Sequence, residues 1–208
     1  MEREVLMVNQ KVSLFLWISI LVLLINSCSR PDEIRVAFIG DSIFSGFNNK
    51  DSIAQIYSKN NNSIVLDLSL PGQSISNFNI ERLNKCKSFE PEIIFIELGA
   101  NDFLLGKECT EELHNKLINI IDNSKSINEV KIVLVSFIDS NMELYLTAQK
   151  KYLLSDYKKM YVDVSEKQDV FLIENIWQEK FGIKNYMSDN YHPNLKGQKV
   201  IIKSLLKL

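Results

Sequence analysis

Residues 34–46 read IRVAFIGDSIFSG. The run Ile34–Ile39 is apolar and β-branched and ends at Gly40, the pattern of a buried strand that delivers a polar pair, Asp41-Ser42, to its C-terminal end. Four further runs have the same character: Ser63–Leu70 (SIVLDLSL) ending at Pro71-Gly72, Glu92–Leu98 (EIIFIEL) ending at Gly99, Lys131–Phe137 (KIVLVSF) and Val170–Ile173 (VFLI). Between them lie stretches with helical spacing, Asp51–Lys59, Ile75–Cys86, Thr110–Ser124 and Met142 to about Gln168, and a last helix is expected over Asn194–Leu206. Thr110-Glu111-Glu112 is a helix start, with acidic residues in the first turn. Strands apolar on both faces and separated by helices imply an α/β fold with a parallel sheet covered on both sides. Right-handed crossovers bring every strand's C-terminal end to one rim, where open α/β sheets bind ligands.

Three strand ends carry polar, glycine-containing turns: Gly40-Asp41-Ser42, Pro71-Gly72-Gln73 and Gly99-Ala100-Asn101-Asp102. A Ser directly after a strand, at the start of a helix, presents its hydroxyl and its own N–H to solvent, where a helix N-terminus favours negative charge. The same residues would also serve as a helix cap. Gly99 permits a bend and Asn101 supplies a neutral amide donor, although Asn-Asp is equally a common turn pair. Near the C-terminus, Ser188–Pro193 reads SDNYHP. Asp189 lies three residues before His192, close enough to accept from Nδ1–H and leave Nε2 free to take a proton from Ser42. Pro193 biases His192 toward extended backbone, in the loop before the last helix. The other of the two histidines, His114, sits among polar residues in TEELHNKL and reads as a surface residue.

In chain order the sequence shows GDSIFSG (Gly40–Gly46), a Gly after the second strand (Gly72), GAND (Gly99–Asp102) and DNYHP (Asp189–Pro193). This resembles the four blocks of the SGNH (GDSL-like) hydrolases, and most of all their lysophospholipase/arylesterase branch, across the whole chain after its N-terminal segment. The resemblance implies a flavodoxin-like, three-layer α/β/α sandwich around a five-stranded parallel sheet. It implies a serine esterase in which Ser42 is the nucleophile, His192 the base and Asp189 its orienting carboxylate. Ser42, Gly72 and Asn101 would form the oxyanion hole, with Asp41 buttressing the nucleophile turn and Asp102 the third turn. No cofactor is implied. No metal is either: Asp189 and His192 could supply two ligands, without a third nearby. Lysophospholipid, acylglycerol and acetylated-glycan esters are all candidate substrates, so a carbohydrate O-deacetylase is an alternative. A non-catalytic surface lipoprotein on the same fold is another. Candidate pocket residues are Phe44, Phe47, Phe103, Leu104, Leu105 and the stretch Phe137–Met142, with Phe103-Leu104-Leu105 forming either an acyl pocket or core.

The N-terminus differs from the rest. Val12–Ile25 is an uncharged run of 14 residues, short for a membrane span and of signal-peptide length. It ends in Ile25-Asn26-Ser27-Cys28, which resembles a bacterial lipobox. The expected organisation is therefore a signal peptide over 1–27, a tether over 28–33 beginning at a lipidated Cys28, and one hydrolase domain over 34–208. Acylation there would hold an exported protein at a membrane of the cell envelope. Removing Cys28 leaves Cys86 and Cys109, either paired or free. Lys and Arg number 24 against 26 Asp and Glu, giving a net charge of −2 and no basic field for nucleic acid.

Overall fold

The computed structural model describes residues 33–207 apart from residue 128; the signal peptide and lipobox Cys28 expected above lie outside the described residues. The five apolar runs form β1 (Arg35–Gly40), β2 (Ile64–Asp67), β3 (Ile93–Glu97), β4 (Lys131–Val135) and β5 (Phe171–Ile173). They pair in parallel in the order β2-β1-β3-β4-β5, the flavodoxin-like order. The three inner strands are almost wholly buried, whereas the edge strands β2 and β5 are half-exposed and shorter than their apolar runs. Hydrogen bonding to β1 nevertheless continues past β2, through Leu68 N–H to Phe38 O and Leu70 N–H to Gly40 O.

The helices are α1 (Ile53–Asn61), α2 (Leu83–Phe89), α3 (Ala100–Leu104), α4 (Glu111–Lys125), α5 (Ala148–Gln168) and α6 (Leu195–Leu205). Helices α1 and α6 pack together, while α4 packs on α2 and α5, giving the expected three layers. Two aromatic clusters fill the interior. Phe38 stacks on Phe95 at 5.1 Å with Phe44 and Tyr57 edge-on, and Phe137 gathers Phe103, Tyr157 and Tyr161 beneath the rim. Cys86 is buried and Cys109 half-buried, and both are free thiols.

The helix expected to start at Ser42 is absent, and another begins later than its periodicity implies. No helix starts at Ser42: the chain makes turns after Asp41, Gly46 and Asn48 take left-handed φ of +72° and +65°, and α1 opens only at Ile53. A Cβ on Gly46 would stand 2.4 Å from Asp51 O, so the tight turn requires glycine. Ser52 and Gln55 then close a reciprocal capping box that sets the start of α1. Likewise Ile75–Cys86 is not one helix. Ile75 and Ser76 donate their N–H groups to the Asp102 carboxylate, Ser74 N–H goes to Asn77 Oδ1, and the helical turns begin at Ile80. In one place left-handed residues and in the other a tertiary carboxylate fix the backbone in turns before a helix can propagate.

Candidate active site

Ser42 follows β1 and Asn101 follows β3, neighbouring strands whose connections leave in opposite directions, which opens a crevice at the sheet's C-terminal edge. His192 is brought there by a loop pinned at several points. Met187 and Pro193 form a β-bridge at its base, Ser188 N–H donates to His192 O at 2.8 Å, and Asn194 caps α6 while its amide holds Asn185 O and Met187 O. The turn beyond Ser42 grips the same loop: Asn48 Nδ2 donates to Asp189 Oδ2 at 3.1 Å and Asn49 Nδ2 to Pro193 O at 2.8 Å.

Ser42 Oγ lies 3.0 Å from His192 Nε2, and His192 Nδ1 lies 2.8 Å from Asp189 Oδ2. Asp189 also accepts the backbone N–H groups of Tyr191 and His192, both at 2.8 Å. Burial acts to raise its carboxyl pKa, but these N–H donors and the imidazole outweigh it and hold Asp189 below the ordinary carboxylate value. Phe47 covers the imidazole at 4.8 Å between ring centroids. Residues 150 positions apart thus meet as a hydroxyl, an imidazole and a carboxylate in line, an arrangement that can move a proton off the serine toward His192.

The Ser42 and Gly72 N–H groups donate to no acceptor among the described residues, and Gly72 takes a left-handed φ of +77°. Gly72 is exposed and is not among the residues lining the cleft around Ser42. Asn101 does line it, but its amide is committed: Nδ2 donates to Asp41 Oδ2 at 3.0 Å and to Gln73 O at 2.8 Å. Asp41 is fully buried and accepts Ile43 N–H on Oδ1 at 2.8 Å, bracing the turn on the far side of Ser42. Asp102 braces a different turn from the one its sequence position suggests. Its carboxylate takes Ile75 N–H at 2.7 Å and Ser76 Oγ at 2.5 Å, tying the segment after β2 to the segment after β3, with Lys107 3.6 Å away.

A cleft of about 860 Å³ opens beside Ser42. Phe103, Leu104, Phe137 and Met142 line it, whereas Leu105 projects into solvent and Phe44 belongs to the core. Leu146, Lys150, Phe181, Lys184 and Met187 complete the wall; Lys150 comes from the first turn of α5 and Lys184 from a 3₁₀ turn, and no motif marks any of the five. Glu97 was also unmarked by motif. It ends β3, opposite Gly40, and is fully buried. An acidic residue closing an otherwise unbroken apolar run was its one signal. His114 stays on α4, its ring facing Thr110 O, far from this chemistry in role.

Residues 38–200 match the model of the GDSL-like lipase/acylhydrolase family. The chain belongs to that family. It is accordingly an ester hydrolase, and its substrates are small-molecule esters. Solved structures agree on the fold. TesA is similar with a TM-score of 0.69 and 19% identity, over 83% of this chain and 96% of that one. The psychrotrophic esterase EstA from Pseudoalteromonas sp. gives 0.66 and 21%, over 84% and 95%. A GDSL-like lipase from Bacteroides thetaiotaomicron gives 0.63 and 17%, over 88% and 91%. No curated protein matches the sequence.

Proposed function

We propose that this GDSL-family hydrolase is a serine esterase working through an acyl-enzyme on Ser42, with His192 as general base and acid and Asp189 orienting it. The observation that carries this is the unbroken chain from Ser42 Oγ through His192 to Asp189, at 3.0 and 2.8 Å. Ser42 Oγ attacks the ester carbonyl carbon as His192 Nε2 takes the hydroxyl proton, and Asp189 stabilises the imidazolium. The carbonyl oxygen, now an anion, receives the free N–H group of Ser42, and the exposed turn carrying Gly72 must move toward the cleft to add its own. Asn101 supplies a third donor by exchanging the Gln73 carbonyl for the oxyanion. Collapse of the tetrahedral species expels the alcohol, protonated by His192. Water then enters, gives its proton to His192 and attacks the acyl carbonyl, and Ser42 leaves with the proton.

The cleft's apolar wall of Phe103, Phe137, Met142, Leu146 and Phe181 favours an acyl chain longer than acetyl. That supports the lysophospholipase/arylesterase-like reading over a carbohydrate O-deacetylase. The resemblance of Ile25–Cys28 to a lipobox supports a location at a membrane of the bacterial cell envelope, within reach of lipid esters.

An acyl-chain series of p-nitrophenyl esters, run beside Ser42→Ala, tests the reading. Each methylene that enters the cleft contributes about 0.8 kcal/mol, so kcat/KM should rise up to about fourfold per CH₂ until the cleft is full. Ser42→Ala should be inactive and resist a fluorophosphonate probe that labels the parent protein. A preference for acetate with activity on acetylated sugars would establish the deacetylase instead. A Ser42 that no phosphonate labels would leave a binding lipoprotein, and turnover by Ser42→Ala would end the assignment.

A further inference from the structure

The mechanism above leaves one buried acid unused. Glu97 closes β3 directly beside Gly40, the residue before Asp41, and no part of it reaches solvent. Its Oε2 faces Asp41 N–H at 3.4 Å, and its Oε1 receives no N–H or O–H group. Tyr161 of α5, also buried, donates to the carbonyl of the next residue, Leu98 O, at 2.5 Å. Two carboxylates cannot share so dry a site without a proton between them, because each desolvated charge would repel the other.

We infer that Glu97 is a protonated acid that donates to the Asp41 carboxylate, and that this buried donor is a positioning residue for the nucleophile and oxyanion turns. An anionic Glu97 would leave Oε1 as an orphan acceptor, whereas a neutral one has a use for its proton. Asp41 then spends its remaining lone pairs on Ile43 N–H, which shapes the turn just past Ser42, and on Asn101 Nδ2. One carboxylate, fixed from behind by Glu97, therefore clamps the turn after β1 to the turn after β3. The ionisation pattern agrees. Burial, and next the Asp41 charge, push Glu97 well above its ordinary value. Burial also raises Asp41, but only to about 6, since Ile43 N–H, Glu97, His192 and Asn101 all favour its charged form. Above that pH the proton belongs to Glu97 and the charge to Asp41.

Because the inference rests on Ser42 being the nucleophile, its test has one readout that needs no turnover. Infrared spectra of the full chain at about pH 8 should contain a protonated-carboxyl band that is present in the parent and in Ser42→Ala and absent from Glu97→Gln. In kinetics, Glu97→Gln keeps a neutral donor and should hold kcat within about threefold, while Glu97→Leu removes the hydrogen bond to a charged group and should lower kcat about 10- to 100-fold. KM should not change in either variant, because Glu97 does not line the cleft. The groups facing Asp41 that titrate are Glu97, His192 and Tyr161. His192 is common to all variants, so the comparison isolates the pair. Losing the donor disfavours ionised Asp41, and the acid limb of kcat for Glu97→Leu should move to higher pH. Should Glu97→Leu fail to fold, the infrared band and Glu97→Gln still decide. No band lost in Glu97→Gln, or an acid limb that moves to lower pH in that variant, would mean an ionised Glu97 and overturn the inference. Full kcat in a folded Glu97→Leu would do the same.

Discussion

Replacing Gly99 by alanine should be among the most damaging single-methyl changes available to this enzyme. Gly99 sits at φ +125° immediately before α3, a conformation that side chains rarely adopt, and holding alanine there costs about 1–3 kcal/mol. The added Cβ would also stand 2.5 Å from Tyr161 Oη and 3.3 Å from Ile75 Cδ1. Tyr161 is buried and gives its hydroxyl proton to Leu98 O. To clear the methyl the hydroxyl must retreat by roughly 1 Å. That breaks the bond and strands a buried carbonyl at a cost of about 1–3 kcal/mol. The two effects together give about 2–6 kcal/mol. For a domain of this size that lowers Tm by about 5–20 °C. Asn101 lies two residues on, so kcat should fall as well. The assay is thermal melting by circular dichroism, with p-nitrophenyl ester turnover, on Gly99→Ala, Tyr161→Phe and the double variant. Phenylalanine removes the atom the methyl meets, so the double variant should be more stable than the sum of the singles by about 1–2 kcal/mol. Strictly additive losses, or a Tm within about 2 °C of the parent for Gly99→Ala, would refute the packing argument.

Three other outcomes can be measured. Asp189→Asn keeps an acceptor for the loop amides but presents an amide to Nδ1, favouring the wrong imidazole tautomer; kcat should fall about 10³- to 10⁴-fold with little change in KM, read from ester turnover. Stability should report the proton on Glu97: its folded pKa lies above the unfolded one, so the folded chain holds an extra proton and loses stability as pH rises. Glu97→Gln has no such proton, and its unfolding free energy, read by urea titration, should gain on the parent by about 1.4 kcal/mol per pH unit between the ordinary glutamate pKa and the raised folded one, whereas a pH-independent difference would contradict this. Finally, Cys28→Ser should abolish incorporation of a labelled fatty acid and release the protein from the membrane fraction, and unchanged labelling would remove the proposed lipid anchor.

Much of this molecule could be read along the chain because its signals are local. A strand buried on both faces must be an unbroken apolar run, so five such runs announced a parallel sheet before any contact was known. Turns at strand ends must carry Gly, Asn or Asp, and these marked Ser42, Gly72, Asn101 and Asp102 as rim residues. The Asp189–His192 spacing placed both groups on one loop, and Pro193 kept that loop out of the following helix. What the chain could not state was which distant acceptor would claim a given amide. Periodicity over 75–86 implies a helix, yet the Asp102 carboxylate anchors Ile75 and Ser76 in a tertiary turn from another strand's end, and helical turns begin only at Ile80. The turn at Ser42 looked like a helix start, yet left-handed Gly46 and Asn48 deferred α1 to Ser52. The commitment of Asn101 to Asp41 and Gln73, the divided fate of Phe103, Leu104 and Leu105, and the carboxyl pair behind the nucleophile are likewise decisions of packing. Sequence determines which groups are available at the rim; only the folded sheet determines their distances, and proton sharing and hydrogen-bond choice depend on distance.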